Sequence, residues 1–411
     1  MSITPATPWL ARPGHRQWLR DRAEALFAFF ANRAFNPAGG FHELTGTGEP
    51  IQPDNPVRGI HGTARMVHCF AIGSLLGRPG SQPIVDHGMR YLWNVHRDAR
   101  HGGYFWAVDD NGAADNGRKQ AYGHAFALLA ASSAKLVGHP LADQMIADVT
   151  EVIETRYWDE ANGAVNEQFN ADWSPISDYH GQNSNMHMTE ALMAAFEATG
   201  EQGYLDKAER IADLIIRRKA GENGFRVAEH FDADWQVDKA YEGDEMFRPP
   251  GTTPGHWVEW ARLVLQLWAL GGRKHAWMPD AAEALFRQAV SIGWDERNGG
   301  FFYNLDWADT PDIPHKLWWP MAEGVGAAAF LIAHRPSDFH ESWYRRIWDV
   351  IARHHIDERN GAWHEQLTAD MQPATTLFKG KGDIYHALQA CLIPLYPAEG
   401  SVTRGIITAG A

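Results

Sequence analysis

Thr253-Pro254-Gly255-His256-Trp257-Val258-Glu259-Trp260 is the stretch on which the reading of this chain turns. Pro254 and Gly255 punctuate a loop, and the apolar spacing that follows, as far as Leu267, predicts a helix that starts here. On that helix His256 and Glu259 are three apart and share one face of the first turn, so an imidazole and a carboxylate can act on one small molecule. A single histidine in such a place is more often a packed core residue. This one gains weight because five other stretches resemble it at near-regular intervals.

The repeat is marked by a Gly-aromatic or Asn-Gly element at Gly39-Gly40-Phe41, Gly102-Gly103-Tyr104, Asn162-Gly163-Ala164, Asn223-Gly224-Phe225, Gly299-Gly300-Phe301 and Asn360-Gly361-Ala362-Trp363. From the last glycine of each to the next, Gly40, Gly103, Gly163, Gly224, Gly300 and Gly361, the intervals are 63, 60, 61, 76 and 61 residues. Three copies share an Asp-Glu-x-Asn-Gly lead-in, beginning at Asp159, Asp295 and Asp357. Gly and Asn supply positive φ and the flanking residues alternate, which is the grammar of a hairpin. Between hairpins, Gln144–Arg156 and Gln202–Arg217 have the spacing of amphipathic helices, whereas Met186–Thr199 is apolar all round, as a doubly buried helix is. One amphipathic and one buried helix, six times over, predicts an all-α fold: an (α/α)6 barrel of six inner and six outer helices with short β-hairpins between them. Residues 1–411 read as a single catalytic domain, with its core at about 18–397 and a frayed, Gly/Thr/Ala-rich tail from Glu399. The long fourth interval, around Lys239–Pro250, predicts an inserted loop that acts as a lid.

Composition agrees with this class. Of 411 residues 45% are hydrophobic and 21% charged, ample for a core. A net charge of −14 argues against nucleic acid or an anionic membrane as partner, because phosphate binding needs a basic stripe. The two cysteines, Cys69 and Cys391, make neither a disulfide framework nor a zinc pattern. No secretory leader and no apolar run of about 18 residues is present, so a cytoplasmic protein is expected. Eighteen tryptophans suit packing and also a sugar site, where indole faces stack on pyranose C–H faces.

Each repeat offers an inner-helix start after its hairpin, marked by Arg65, His124, His187, His256, Glu323 and His386, at spacings of 59, 63, 69, 67 and 63 residues. In a closed ring these starts meet at one end, with Trp318 and Trp319 on the rim. Three chemistries can use such a set. His and Glu ligate zinc, but here the ligands would come from different helices. Glu259 and Glu323 could be a glycosidase's acid and base, which leaves the histidines unexplained. Histidines titrate near neutrality and both take and return protons, which suits opening a sugar ring and moving a proton through a cis-enediol.

At Thr63-Ala64-Arg65-Met66-Val67-His68, Asn183-Ser184-Asn185-Met186-His187, Thr253–Trp260, Trp319-Pro320-Met321-Ala322-Glu323 and Asp383-Ile384-Tyr385-His386 the sequence resembles the N-acylglucosamine 2-epimerase superfamily, most of all its bacterial aldose–ketose isomerase branch. The resemblance covers roughly Trp18 to Pro397. It implies an (α/α)6 barrel and interconversion of free monosaccharides with no metal or other cofactor, by a monomer or homodimer. By it, His386 is the base moving a proton between C2 and C1, and His256 the second acid/base, oriented by Glu259. Arg65, Tyr122, Asn183, His187, Trp319 and Glu323 hold the hydroxyls and the enediolate, with Arg248 of the inserted loop as a further contact. Mannose to fructose is the leading reaction, because Glu365 would repel a sulfonate and Met246 offers no donor. A sugar 2-epimerase on mannose/glucose or an N-acylhexosamine is the alternative, and a sulfoquinovose isomerase the next. Among the remaining histidines, His68 is expected to pack, His124 to pack or touch substrate, His230 to line the mouth or cap a turn, and the pair His354-His355 to lie on the surface.

Overall fold

In a computed structural model, which describes residues 7–51, 57–243 and 246–410, the helices alternate around a ring. The pairs, outer helix first, are α1 (Pro13–Arg33) with α2 (Ile60–Leu75), α3 (Ser81–Tyr91) with α4 (Ala121–Leu136), and α5 (Ala142–Val152) with α6 (Gln182–Thr199). They continue as α7 (Gln202–Ala212) with α8 (Pro254–Leu270), α9 (Trp277–Ile292) with α10 (Trp318–His334), and α11 (Asp338–Val350) with α12 (Tyr385–Leu392). The inner members are buried on all sides: every residue from Pro254 to Leu267 of α8 and from Trp318 to Leu331 of α10 is inside. The expected (α/α)6 barrel is present, and none of the described helices is long and apolar enough to cross a bilayer.

The hairpin elements explain their own composition. Gly40, Gly103, Gly163, Gly224, Gly300 and Gly361 all sit at positive φ, where a Cβ is strained. The aspartate that opens the lead-in caps its own turn: Oδ1 of Asp159, Asp295 and Asp357 accepts from the amide two residues on at 3.0, 2.9 and 3.0 Å. Two of these carboxylates also hold a buried lysine from just before the next inner helix, Lys316 on Asp295 (3.1 Å) and Lys381 on Asp357 (2.6 Å). Lys119 on Asp98 (2.8 Å) repeats the arrangement in the second copy. A buried charge left alone would cost several kcal/mol, so each pair ties a turn to the following helix start.

The ring is stitched by short strands between neighbouring repeats. Arg58-Gly59 pairs with Ala107-Val108, Lys119-Gln120 with Gln168-Phe169, His180-Gly181 with His230-Phe231, and Lys316-Leu317 with Gln366-Leu367, all antiparallel. The bridge Thr45–Gly380, with Lys381 N–H donating to the Leu44 carbonyl at 2.8 Å, joins the last repeat to the first. Helix α12 packs against α1 and α2 and closes the circle.

Two expectations are corrected. The tail is not frayed: Ser401 caps a helix, α13 (Val402–Ala409), by accepting from Arg404 N–H at 3.2 Å, and Thr403, Gly405 and Ile406 are buried. Residues Gly400–Thr403 close a small axial cavity that is lined from all six inner helices, including His68, Glu190, Arg262 and Gln389. His355 is not on the surface either. It is fully buried, with Nδ1–H donating to the His364 carbonyl at 2.9 Å, so it pins a hairpin.

The Ser401 amide donates to Glu197 Oε1 at 2.9 Å, and burial of that carboxylate raises its pKa to about 7. A raised carboxylate pKa gives stability that is complete below the unfolded value and lost as pH rises through the folded one. Glu197→Gln is therefore expected to leave the melting temperature unchanged below the unfolded pKa of 4.5 and to raise it above pH 7, the gain in stability being about 3 kcal/mol. A pH-independent difference in melting curves would refute this.

Candidate functional site

The starts of the six inner helices converge on a cavity of about 60 Å3. Its lining includes Arg65 of α2, Tyr122 of α4, Asn183 and His187 of α6, His256 and Glu259 of α8, Trp318 and Trp319 of α10, and His386 of α12. Gly255 permits this closeness, because a Cβ there would meet the Trp319 ring at 2.5 Å. The two tryptophans are buried floor rather than rim, and Trp319 lies between the two histidines, 4.8 Å from His256 and 6.2 Å from His386 by ring centroids.

Each of these histidines has one nitrogen fixed by a buried carboxylate. His386 Nδ1–H donates to Asp383 Oδ2, which also accepts from Trp318 Nε1–H at 2.8 Å. Burial opposes the charge on Asp383, but His386 and Arg65 beside it hold the carboxyl well below the usual range. His256 Nδ1–H faces both oxygens of Glu229 at 2.9 Å. Gln182 Nε2 lies 2.8 Å from the same nitrogen and donates to Glu229 Oε2 at 2.8 Å, and its own oxygen accepts from Trp260 Nε1–H at 2.8 Å. An imidazole whose Nδ1 donates to a carboxylate presents Nε2 as a base. Both bases border one cavity.

The expectation that Glu259 orients His256 is therefore corrected: Glu229 does. Its signal was in the repeat, for Glu167, Glu229 and Glu365 stand two residues before the hairpin partners Phe169, Phe231 and Leu367. Their carbonyls accept from the first residue of an inner helix: Ala121, Gln182 and Trp318. Asp383 was legible as the acid three residues before His386.

Glu259 is 1% exposed, and its Oε1 lies 3.9 Å from both His187 Nδ1 and Arg262. Burial first, and Glu323 second, push its pKa well above the ordinary carboxylate value, which favours the carboxylic acid, the form able to donate. Glu323 is instead bonded to Arg262 Nε–H at 2.7 Å. Arg65 donates to the Tyr122 hydroxyl at 2.9 Å, faces Asp383 at 3.8 Å and lies over the Phe126 ring at 4.5 Å. Although burial works against its charge, Tyr122 and Asp383 keep it protonated. The side-chain carbonyl of Asn183 is buried without a protein partner at the cavity wall.

Several other residues lie elsewhere. Arg248 lines an adjoining cavity of about 330 Å3, where it is paired with Glu167 at 3.1 Å and lies over Tyr179. Two residues of the 239–250 loop fall outside the described residues; of the rest, Tyr241 stacks on His230 at 4.0 Å and the Met246 carbonyl accepts from the Tyr303 hydroxyl at 2.5 Å. His230 lines the larger cavity and bonds the Pro249 carbonyl at 2.8 Å. His124 is fully buried, held by the Gln120 carbonyl (2.8 Å) and the Tyr104 amide (3.1 Å), so it is structural. His68 packs as expected, against Ser133 at 2.7 Å. Glu365 is not a pocket charge that could repel a sulfonate: it accepts from the Asp383 amide at 2.8 Å, and burial together with Asp383 pushes its pKa up to about 8.

Two histidine–carboxylate pairs, an arginine and a carboxyl whose burial favours its neutral form, set around one small cavity in an (α/α)6 barrel, define a site for proton transfer on a small polar molecule. The chain belongs to the N-acylglucosamine 2-epimerase (GlcNAc 2-epimerase) family, whose pattern it matches over residues 39–390. It is 40% identical to the D-mannose isomerase of Thermobifida fusca over 98% of this chain and 100% of that one. It is 41% identical to the D-mannose isomerase of Pseudomonas cannabina pv. alisalensis over 97% of each. A crystal structure of a D-mannose isomerase superposes with a TM-score of 0.88 at 32% identity, covering 94% of this chain and 99% of that one.

Glu259, Glu323 and His386 offer ligand atoms within 4.8 Å of one another, which is the spacing of a metal site. The Arg262 guanidinium occupies Glu323 and faces Glu259, and a second cation there would meet like-charge repulsion. Dialysis against a chelator is expected to leave turnover unchanged. A loss restored by a divalent ion would make the triad a metal site.

Proposed function

We propose that the protein is an aldose–ketose isomerase that interconverts D-mannose and D-fructose, with a free monosaccharide as its partner. The observation that carries the reading is the pair of imidazoles, each anchored at Nδ1 on its own buried carboxylate, facing one cavity beside Arg65. The near full-length similarity to proteins named D-mannose isomerase supports the sugar.

Ring opening comes first. His256 Nε2 takes the proton of the C1 hydroxyl, Glu259 gives its proton to the ring oxygen, and the C1–O5 bond breaks to leave a C1 aldehyde. Glu229 stabilises the imidazolium that forms on His256, as the carboxylate of a catalytic triad does. His386 Nε2 then removes the C2 proton, and the electrons move through C1–C2 onto O1. The resulting cis-enediolate carries its charge beside the Arg65 guanidinium, which does not need to reorganise to meet it. His386 returns the proton to C1, the O2–H proton passes to O1, and C2 becomes the ketone. Trp319, under both histidines, supplies the flat apolar surface for the sugar's C–H face.

In D2O, purified enzyme and D-mannose are expected to yield fructose by proton NMR, with deuterium entering at C1. Glucose without fructose would make the enzyme a 2-epimerase. His386→Ala is expected to lower kcat by about a thousandfold or more with an unchanged melting temperature. His256→Ala is expected to fail on the closed pyranose, yet to exchange the C2 proton of an aldose too short to close a furanose or pyranose ring, such as glyceraldehyde. Equal losses on both substrates would remove His256 from ring opening.

A further inference from the structure

Behind the cavity, on the barrel axis, three buried carboxylates share one guanidinium. Arg262 of α8 donates through Nε to Glu323 of α10 at 2.7 Å. Its NH2 group lies 3.6 Å from Glu190 of α6 and 3.9 Å from Glu259. His187 Nδ1 divides itself in the same way, 3.7 Å from Glu190 and 3.9 Å from Glu259. Neither the Arg262 NH2 group nor His187 Nδ1 reaches a hydrogen bond with Glu190 or Glu259, and among the described residues Glu259 Oε1 has no hydrogen-bond partner. Glu190 alone of the pair has a further donor, the Tyr385 hydroxyl.

We propose that Glu190 is a positioning residue for the acid of the reaction: by lying nearer than Glu259 to Arg262 and His187, and by taking the Tyr385 hydroxyl, it leaves Glu259 as the carboxyl that keeps its proton. The inference rests on the isomerase reading for the use of that proton, but not for its location. Three carboxylates against one guanidinium cannot all be ionised in a dry core without a large cost, so a proton must stay on one of them. Although burial opposes ionisation of Glu190, His187 and Arg262 hold its pKa low, while Glu259 goes high, which is the division the geometry dictates.

The other groups facing Glu259 do not overturn this division. Arg65 of α2 favours its ionised form, whereas Glu323 opposes it more strongly. Burial lowers the pKa of His187 to about 4, so it is neutral and offers a dipole only. Tyr122 of α4 and Tyr385 of α12 are buried phenols with raised pKa values. His386 of α12 is bonded to Asp383, and His256, on Glu259's own helix, to Glu229. Glu190 is thus, with Glu323, a charge whose removal acts directly on Glu259, and unlike Glu323 it has no hydrogen bond to Arg262 that its removal would break.

The sign follows. An acid must be protonated to work, so turnover falls as pH rises through the pKa of Glu259. Glu190→Gln removes a negative neighbour of Glu259 and the carboxylate that competes with it for the Arg262 charge, so that pKa drops and the alkaline limb of kcat moves to lower pH. A movement of one unit lowers kcat about tenfold on that limb and leaves it unchanged on the acid side. The direct test is infrared difference spectroscopy on the intact protein, which reads the protonated-carboxyl band lost in Glu259→Gln. In Glu190→Gln that band is expected to titrate at lower pH, and a band that titrates as in the wild type overturns the proposal whatever the activity. If the amide variant does not fold, Glu190→Asp, which moves the charge back by one methylene, carries the test and is expected to shift the band the same way by less; no shift overturns it. A shifted band in a protein that does not convert mannose to fructose would keep the positioning role and reject the isomerase reading.

Discussion

Closing six helical pairs into a ring forces six inner-helix starts to one end of an axis, and the remainder of the site is a response to that constraint. Each start carries backbone N–H groups with no partner inside its own helix. The hairpin of the following repeat supplies one, through carbonyls such as those of Glu167, Glu229 and Glu365. The strand that brings the carbonyl also brings the side chain of the same residue to the mouth of the barrel. A carboxylate at that hairpin position therefore arrives beside the next helix start: Glu167 on Ser184, Glu229 on His256, Glu365 on the amide of Asp383. The packing solution and the catalytic orientation come from one covalent arrangement.

Burial then decides the state of each group. Asp383 and Glu229 keep their charges because an imidazole, and for Asp383 an arginine, lie against them. Burial and acidic neighbours push Glu365 and Glu259 the other way, toward the protonated form. A carboxyl group is thus favoured as the anion at two places around the axis and as the acid at two others. The difference is made by partners on neighbouring helices, not by local sequence.

That distinction marks how far the sequence could be read. The period of about 60 residues, the hairpin glycines and the apolar character of Met186–Thr199 were enough for the barrel, because repeats express themselves along the chain. Phase marked six helix starts, of which Arg65, His187, His256 and His386 meet at one cavity, whereas His124 and Glu323, in the same phase, are bonded outside it. What escaped was anything decided between repeats. Glu259 looked like the partner of His256 because both occupy one helical turn, but the imidazole turns toward Glu229, 27 positions away. The polar pair His354-His355 looked like surface, yet only His355 goes inside, since the hairpin needs a donor for the His364 carbonyl. The tail looked unstructured from its glycine and threonine content, though Ser401, Thr403 and Ile406 are a cap and the inward-facing residues of a short helix.

The same reasoning explains why two histidines serve here where a single base would move a proton. A base that opens the ring must reach the C1 hydroxyl, while the base for carbon must stand over one face at C2 and C1. Trp319 lies close to both imidazoles, 4.8 Å from His256 and 6.2 Å from His386 by ring centroids, so a sugar seated on it can meet both without either changing its carboxylate partner. Each imidazole is held at Nδ1, which fixes its tautomer and the direction of Nε2 before substrate arrives. Ångström-scale placement of this kind decides whether the proton returns to C1 or to C2. That placement is built from Gly255, Gln182 and Asp383, none of which needs to touch the sugar.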